Sequence, residues 1–293
     1  MKRTLTLLTL APIAGMLMAQ GGDGPAVLDK ALLAYQAGHL DSSMVLVDRA
    51  IGLDPALAAA YKLRGDIHQR EQDFAAAMAD YGASAKLNDQ DPRLFVSRSA
   101  LQISMGNAKA GLRDADKALA LDPKDADAWY NRAWALYLGN DLDASLKSVR
   151  KALDLQPQFA EALYLSGVVK GARYDEKEGA QEIGQALELM PSIPGGLMSL
   201  AVVLYEGKRY DEAIAKFTQV IASDTTELAA AYYYRADCHY NLGDKESACA
   251  DWRRSMALGD KDAAFIKRNY CDTEAKKIPR KPQRKRRTTT IRF

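Results

Sequence analysis

Histidine and cysteine are scarce, with three of each in 293 residues. His39, His68 and His239 lie far apart and form no paired metal-ligand spacing. Three cysteines do not make a disulfide scaffold, and the odd number leaves at least one unpaired within a monomer. There is no phosphate-cradling glycine loop and no Gly-x-Ser-x-Gly elbow. No catalytic residue, metal, cofactor or small-molecule substrate is therefore expected, and the chain reads as non-enzymatic. Proline is also scarce, at ten residues, while alanine is abundant, which favours helices over short strands. At 48% hydrophobic and 27% charged residues, collagen-like, mostly disordered and multi-span membrane chains are excluded.

One apolar run stands out. Lys2 and Arg3 precede an uncharged stretch from Leu5 to Leu17, and Ala19 offers a small residue before Gln20. That layout predicts a cleaved secretory signal peptide over 1–19 and a periplasmic or secreted protein. The run is too short to span a bilayer. Residues 20–25 read as a glycine-rich linker.

What is abundant is repetition. Leu53, Leu87, Leu121, Leu155 and Leu189 are spaced by 34 residues, with Pro55, Pro123, Pro157 and Pro191 following four of them. A large residue recurs at Val27, Tyr61, Phe95, Trp129, Leu163 and Leu197. A small one follows four positions later, at Ala31, Gly65, Ser99, Ala133, Gly167 and Ala201. A second small column runs through Ser43, Ala77, Gly111, Ser145, Gly179 and Ala213. A seventh copy, displaced by one residue near 224–227, carries Tyr232, Ala236 and Ala248. Two helical stretches per unit, broken near Gly38, Gly106, Gly139 and Gly243, predict antiparallel helix pairs whose small columns let the axes approach.

The segment Trp129-Tyr130-Asn131-Arg132-Ala133, continuing through Leu136 and Leu142 to Ala152 and Pro157, resembles the tetratricopeptide repeat family. It departs from the family pattern at Arg132, Ser145 and Val149. The resemblance implies an all-α, right-handed α-solenoid of about seven helix-turn-helix repeats over 26–272. Asp262–Tyr270 is expected to be its C-terminal capping helix. Glycines 167, 171, 179 and 184, followed by Pro194-Gly195-Gly196, mark 167–196 as an expected hinge, although Gly167 and Gly179 also fit the small columns.

The family's concave face is lined by set columns of each first helix. Carried onto this chain, they give Tyr130, Trp134, Tyr137, Tyr164, Met198, Val202, Tyr205, Tyr233 and Tyr240 as candidate partner-binding residues. The resemblance thus implies a protein or peptide partner held in an aromatic groove by a non-catalytic scaffold. A carboxylate clamp, which some relatives build from Lys, Arg and Asn, fits poorly: Lys62 is present, but Asp66 stands where Asn is required.

Spacing about Gly259-Asp260 favours a Cys249–Cys271 disulfide, and spacing about Gly243-Asp244 leaves Cys238–Cys249 open. Finally, Thr273–Phe293 holds nine Lys or Arg and one acid, including Arg284, Lys285, Arg286 and Arg287. This reads as a disordered basic tail. Its alternative role is binding nucleic acid, an anionic envelope polymer or lipid, or an acidic protein. Residues 20–272 carry 29 bases against 37 acids, so the near-neutral total hides an acidic solenoid joined to a basic arm that could fold back on it.

Overall fold

The computed structural model describes residues 23–223 and 226–282, all helices and turns. The signal-peptide segment, most of the linker, residues 224–225 and Arg284–Arg287 lie outside that description. Fifteen α-helices follow one another along the described chain. A first unit, ending at Asp89, contains α1 (Gly24–Gln36), α2 (Leu40–Leu53), α3 (Ala58–Arg70) and α4 (Phe74–Leu87). A second, from Gln90, contains α5 (Pro92–Ser104), α6 (Ala108–Leu121), α7 (Ala126–Leu138), α8 (Leu142–Leu155), α9 (Ala160–Ala172) and α10 (Glu176–Leu189). It continues with α11 (Gly196–Glu206), α12 (Tyr210–Ala222), α13 (Leu228–Asn241), α14 (Lys245–Ala257) and α15 (Lys261–Ile266). The first helix starts at Gly24 with Pro25 in its first turn, so these two residues are helix rather than linker. Proline is tolerated there because its missing N–H would be unpaired anyway.

Within each unit, the helix pairs are held by the small columns. Ala31, Ala77, Ala133, Ala201, Ala213, Ala236 and Ala248 are all fully buried. Serine in these columns adds a bond between helices. Ser43 Oγ donates to the Ala31 carbonyl, Ser99 to that of Gly111 and Ser145 to that of Ala133, each at 2.8 Å. The leucines that mark the period do something else: they are the last residues of α2, α4, α6, α8 and α10, and most are half exposed.

In the fifth repeat both small columns are glycine. A Cβ on Gly167 would lie 2.6 Å from the Gly179 carbonyl oxygen, and one on Gly179 would lie 2.7 Å from that of Gly167. Residues 167–196 thus contain a closely approached helix pair, and Gly167 and Gly179 serve the small columns by removing side chains from the contact. Gly167→Ala is expected to cost about 1–3 kcal/mol, since backbone must move. Gly184→Ala, where a Cβ would meet nothing within 4 Å, is expected to gain about 0.5–1 kcal/mol. Urea unfolding checks both, and equal effects would show that the glycine pair does not set the helix separation.

The turn inside each repeat needs one left-handed residue, and it recurs with the period. Gly38, Gln72, Gly106, Asn140, Tyr174, Lys208 and Gly243 have φ between 59° and 85°. In the fourth repeat the left-handed residue is Asn140, and the expected breaker Gly139 is right-handed.

A charged column also follows the period. Arg64, Arg98 and Arg235 each bond a carboxylate sixteen residues on, at Asp80, Asp114 and Asp251. Arg132 meets Ser148 at the equivalent place and Asp116 of the preceding repeat. Each guanidinium lies over the large-column ring three residues before it (Tyr61, Phe95, Trp129 or Tyr232) at 5.1–5.9 Å.

The C-terminal end is closed by α15 and a π-helical turn, Lys267–Cys271. The Cys249 and Cys271 sulfurs are bonded, with Cα atoms 5.5 Å apart. Cys238 is buried as a free thiol, and burial pushes its pKa up to about 12. Residues 273–282, expected to belong to a disordered tail, are held against the second unit. Lys245 Nζ donates to the carbonyls of Thr273 and Ala275, and Ile278 is buried in the core of the second unit.

Candidate functional site

Successive first helices of the second unit touch one another, and their side chains bond across the repeats. Asn131 Nδ2 of α7 donates to the Val96 carbonyl of α5 at 3.0 Å. The Tyr164 hydroxyl of α9 lies 2.7 Å from Ser199 Oγ of α11. The Tyr205 hydroxyl of α11 donates to Asp237 Oδ2 of α13 at 3.1 Å. The nine candidate groove residues lie on this first-helix face, but not as an open aromatic patch. Trp134, Tyr137, Tyr164, Met198, Val202 and Tyr233 are buried, with Trp134 and Tyr164 only 2% exposed. Tyr130, Tyr205 and Tyr240 are partly exposed. The correction has a packing cause: rings that occupy one column in sequence wedge against their neighbours. Tyr130 meets Phe159 at 5.0 Å, Trp134 meets Tyr137 at 5.5 Å, and Tyr233 meets Tyr234 at 5.8 Å.

Burial sets the electrostatics of this face. It raises the Tyr130 phenol pKa, with Glu161 adding to the shift. The Tyr164 phenol is pushed up to about 12, again chiefly by burial, with a smaller contribution from Glu227. Tyr205 is raised by burial, then by Asp237 and Glu206. The neutral phenols are therefore held as hydrogen-bonding groups, and acidic residues stand close to the aromatic row.

At the C-terminal end of this face the side chain of Asp237 is 3% exposed, and its Oδ2 accepts from both Tyr205 and Lys281. The Lys281 ammonium also lies 5.5 Å from the Tyr240 ring centroid. Nothing local in the sequence marks this cluster, because its members come from α11, α13 and the segment after the cap.

Lys62 Nζ is 2.7 Å from Asp66 on its own helix, so in the first unit the lysine expected for a clamp is neutralised by the residue that replaces Asn. His68 and His239 are half-buried beside Asp80 and Asp244, at 3.7 Å. A cavity of about 390 Å³ opens at the Pro191–Gly196 turn against Val220 and Ser223. Among the described residues no group of three or more His, Cys, Asp or Glu is arranged to hold a metal ion.

Paired helices stacked in register, with one face built from first helices, define a helical-repeat protein of the solenoid class. The tetratricopeptide repeat family matches residues 101–160, 177–227 and 199–263, and the chain belongs to it. The "Heat shock protein sti1 homolog" of Schizosaccharomyces pombe is 33% identical over 98 residues, 33% of this chain and 17% of that protein. "Hsp70-Hsp90 organizing protein 2" of Arabidopsis thaliana is 33% identical over 70 residues, 24% of this chain and 12% of that protein. The chain thus spans less than a fifth of these relatives' length. Among solved structures, a tetratricopeptide repeat protein from Parabacteroides merdae ATCC 43184 has a TM-score of 0.58 at 17% identity, covering 81% of this chain and 94% of that one. PilF of Pseudomonas aeruginosa has a TM-score of 0.57 at 16% identity, covering 75% of this chain and 94% of that one. Likeness at these identities shows the fold.

Proposed function

We propose that this protein is an exported, non-catalytic scaffold that binds a segment of another protein on the first-helix face of α7, α9, α11 and α13. The observation that carries this is the row Tyr130, Tyr205 and Tyr240. They are partly exposed rings on three first helices of one unit, backed by buried side chains that hold them in place. Rigid rings with a polar tip suit recognition, since they offer large contact area at low ordering cost. A relative named for organising Hsp70 and Hsp90 supports a role in associating proteins. Export is supported by Lys2 and Arg3 ahead of the apolar run Leu5–Leu17, and by a disulfide, which persists in oxidising compartments.

The test is chemical crosslinking in the native cells, followed by affinity measurement with the protein it identifies. Tyr130→Ala with Tyr205→Ala is expected to weaken that affinity by about tenfold or more, as for hot-spot aromatics. Lys147→Ala, on the exposed side of α8, is expected to leave it unchanged. Equal affinity in all three proteins would refute the first-helix face as the site. Affinity that collapses with added salt while ignoring the tyrosines would point to the basic tail instead.

A further inference from the structure

The segment after the cap occupies the face just described. Ile278 is 8% exposed and belongs to the core of the second unit. Three residues on, Lys281 places its ammonium 2.8 Å from Asp237 Oδ2 and over the Tyr240 ring. Asp237 is almost fully buried, so it needs cationic or hydrogen-bonding partners, and Lys281 together with the Tyr205 hydroxyl supplies them. An aromatic face beside a buried carboxylate favours an alkylammonium through both the charge and the ring quadrupole. Tyr205, Asp237 and Tyr240 therefore form a lysine-accepting subsite, and the chain's own Lys281 fills it.

The rest of the segment is complementary to the rest of the face. Residues 283–293 add Arg284, Lys285, Arg286, Arg287 and Arg292 with no acid. The acids whose charge raises the pKa of the row are Asp237 and Glu206 at Tyr205, Glu227 at Tyr164, and Glu161 and Asp127 at Tyr130. Eleven extended residues reach at most about 40 Å. Neighbouring helices pack about 8–10 Å apart, so this reach passes α11, α9 and α7.

We propose that residues 278–293 are a built-in ligand of the first-helix face, held at Ile278 and Lys281, and that an outside segment binds by displacing them. The outside ligand is then a protein segment of the same chemistry, an apolar side chain followed three residues later by lysine and further bases. This rests on the reading of that face as a binding surface. Tethering gives the tail an effective concentration near the millimolar range for a short linker. A site that is one-tenth free shows a tenfold weaker apparent affinity for any competitor.

The probe is a fluorescent peptide with the sequence of residues 273–293, titrated into the full-length chain. The wild type is expected to bind it at least tenfold more weakly than Ile278→Ala with Lys281→Glu, in which the tail has lost both anchors. Both positions lie outside every helix, so the variant is expected to fold. Adding Asp237→Asn to that variant is expected to remove most of the gain. Trypsin supplies a second reading: cleavage at Arg284–Arg287 is expected to be at least tenfold faster in the anchor variant than in wild type.

Equal peptide affinity in wild type and anchor variant, with equal cleavage rates, overturns the proposal. So does a chain whose anchor substitutions convert a dimer to a monomer, since the tail would then be serving a neighbouring copy. Failure here leaves the tyrosine test with an outside partner untouched, so the two readings fail separately.

Discussion

Arg235→Ala is expected to lower the unfolding free energy by about 3–5 kcal/mol, because it strands a buried carboxylate. Arg235 grips Asp251 with two bonds, Nε to Oδ2 at 2.7 Å and Nη2 to Oδ1 at 2.9 Å. The Asp251 side chain is 5% exposed, so water cannot replace the lost partner without opening α13 from α14. A third bond, from Nη1 to Thr218 Oγ1 at 2.9 Å, reaches back to α12 and the previous repeat. Arg132 is the internal control. Its second-helix partner is Ser148, and the carboxylate it meets, Asp116, is half exposed. Arg132→Ala should therefore cost only about 1 kcal/mol, the usual worth of an exposed pair. Urea unfolding followed by the fluorescence of buried Trp252, beside Asp251 in α14, reads the first effect. Replacing both partners, as Arg235→Met with Asp251→Leu, is expected to recover most of the loss, since no charge is then buried. Comparable losses for Arg235→Ala and Arg132→Ala would show that the arginines act by packing on their rings instead.

The arginine column also shows what a repeat conceals. The small columns were legible because they report a necessity. Two helices that cross at Ala133 and Ser145 admit nothing larger, so the 34-residue period must be written in small residues. Arg132, by contrast, departs from the family pattern and invites dismissal as a mild substitution. Its equivalents Arg64, Arg98 and Arg235, each followed sixteen positions later by Asp as Arg132 is by Ser148, held the missing signal. The first-helix face was half legible. A column tells which way a side chain points, which located Tyr130, Tyr205 and Tyr240. It does not tell how closely neighbouring first helices pack, which decides that Trp134 and Tyr233 are buried. Residues 273–282 were legible only as part of a basic arm, for a different reason. Their composition is that of an unstructured arm, and the contacts that hold them lie far back in the chain. The Ile278 amide reaches the Tyr240 hydroxyl across 38 residues and Lys281 reaches Asp237 across 44. No local pattern carries information over that distance.

Removing the disulfide, as Cys249→Ser with Cys271→Ser, is expected to cost about 2–4 kcal/mol, a typical value for closing a loop of this size. The bridge joins residues 22 apart, α14 to the π-helical turn that ends the cap. Repeats contact mainly their neighbours, so the loss should be local. Hydrogen exchange is expected to rise in α14 and α15 and to stay unchanged in α5–α8. Packing alone leaves the end less secure: the Tyr270 ring leans on Tyr240 at 5.4 Å and on Trp252 at 6.1 Å, and only Ile266 and Ala263 of α15 are fully buried. Cys238 is not expected to substitute in a new bridge, because its thiol is buried and little ionised near neutral pH. Cys271 lies only ten residues before Lys281, so the bridge also fixes where the chain leaves the cap toward Asp237. The serine variant should therefore bind the 273–293 peptide more tightly than wild type does, since a frayed cap delivers its own lysine less often. Local destabilisation without that gain would mean the bridge secures the last repeat but does not steer the segment that follows it.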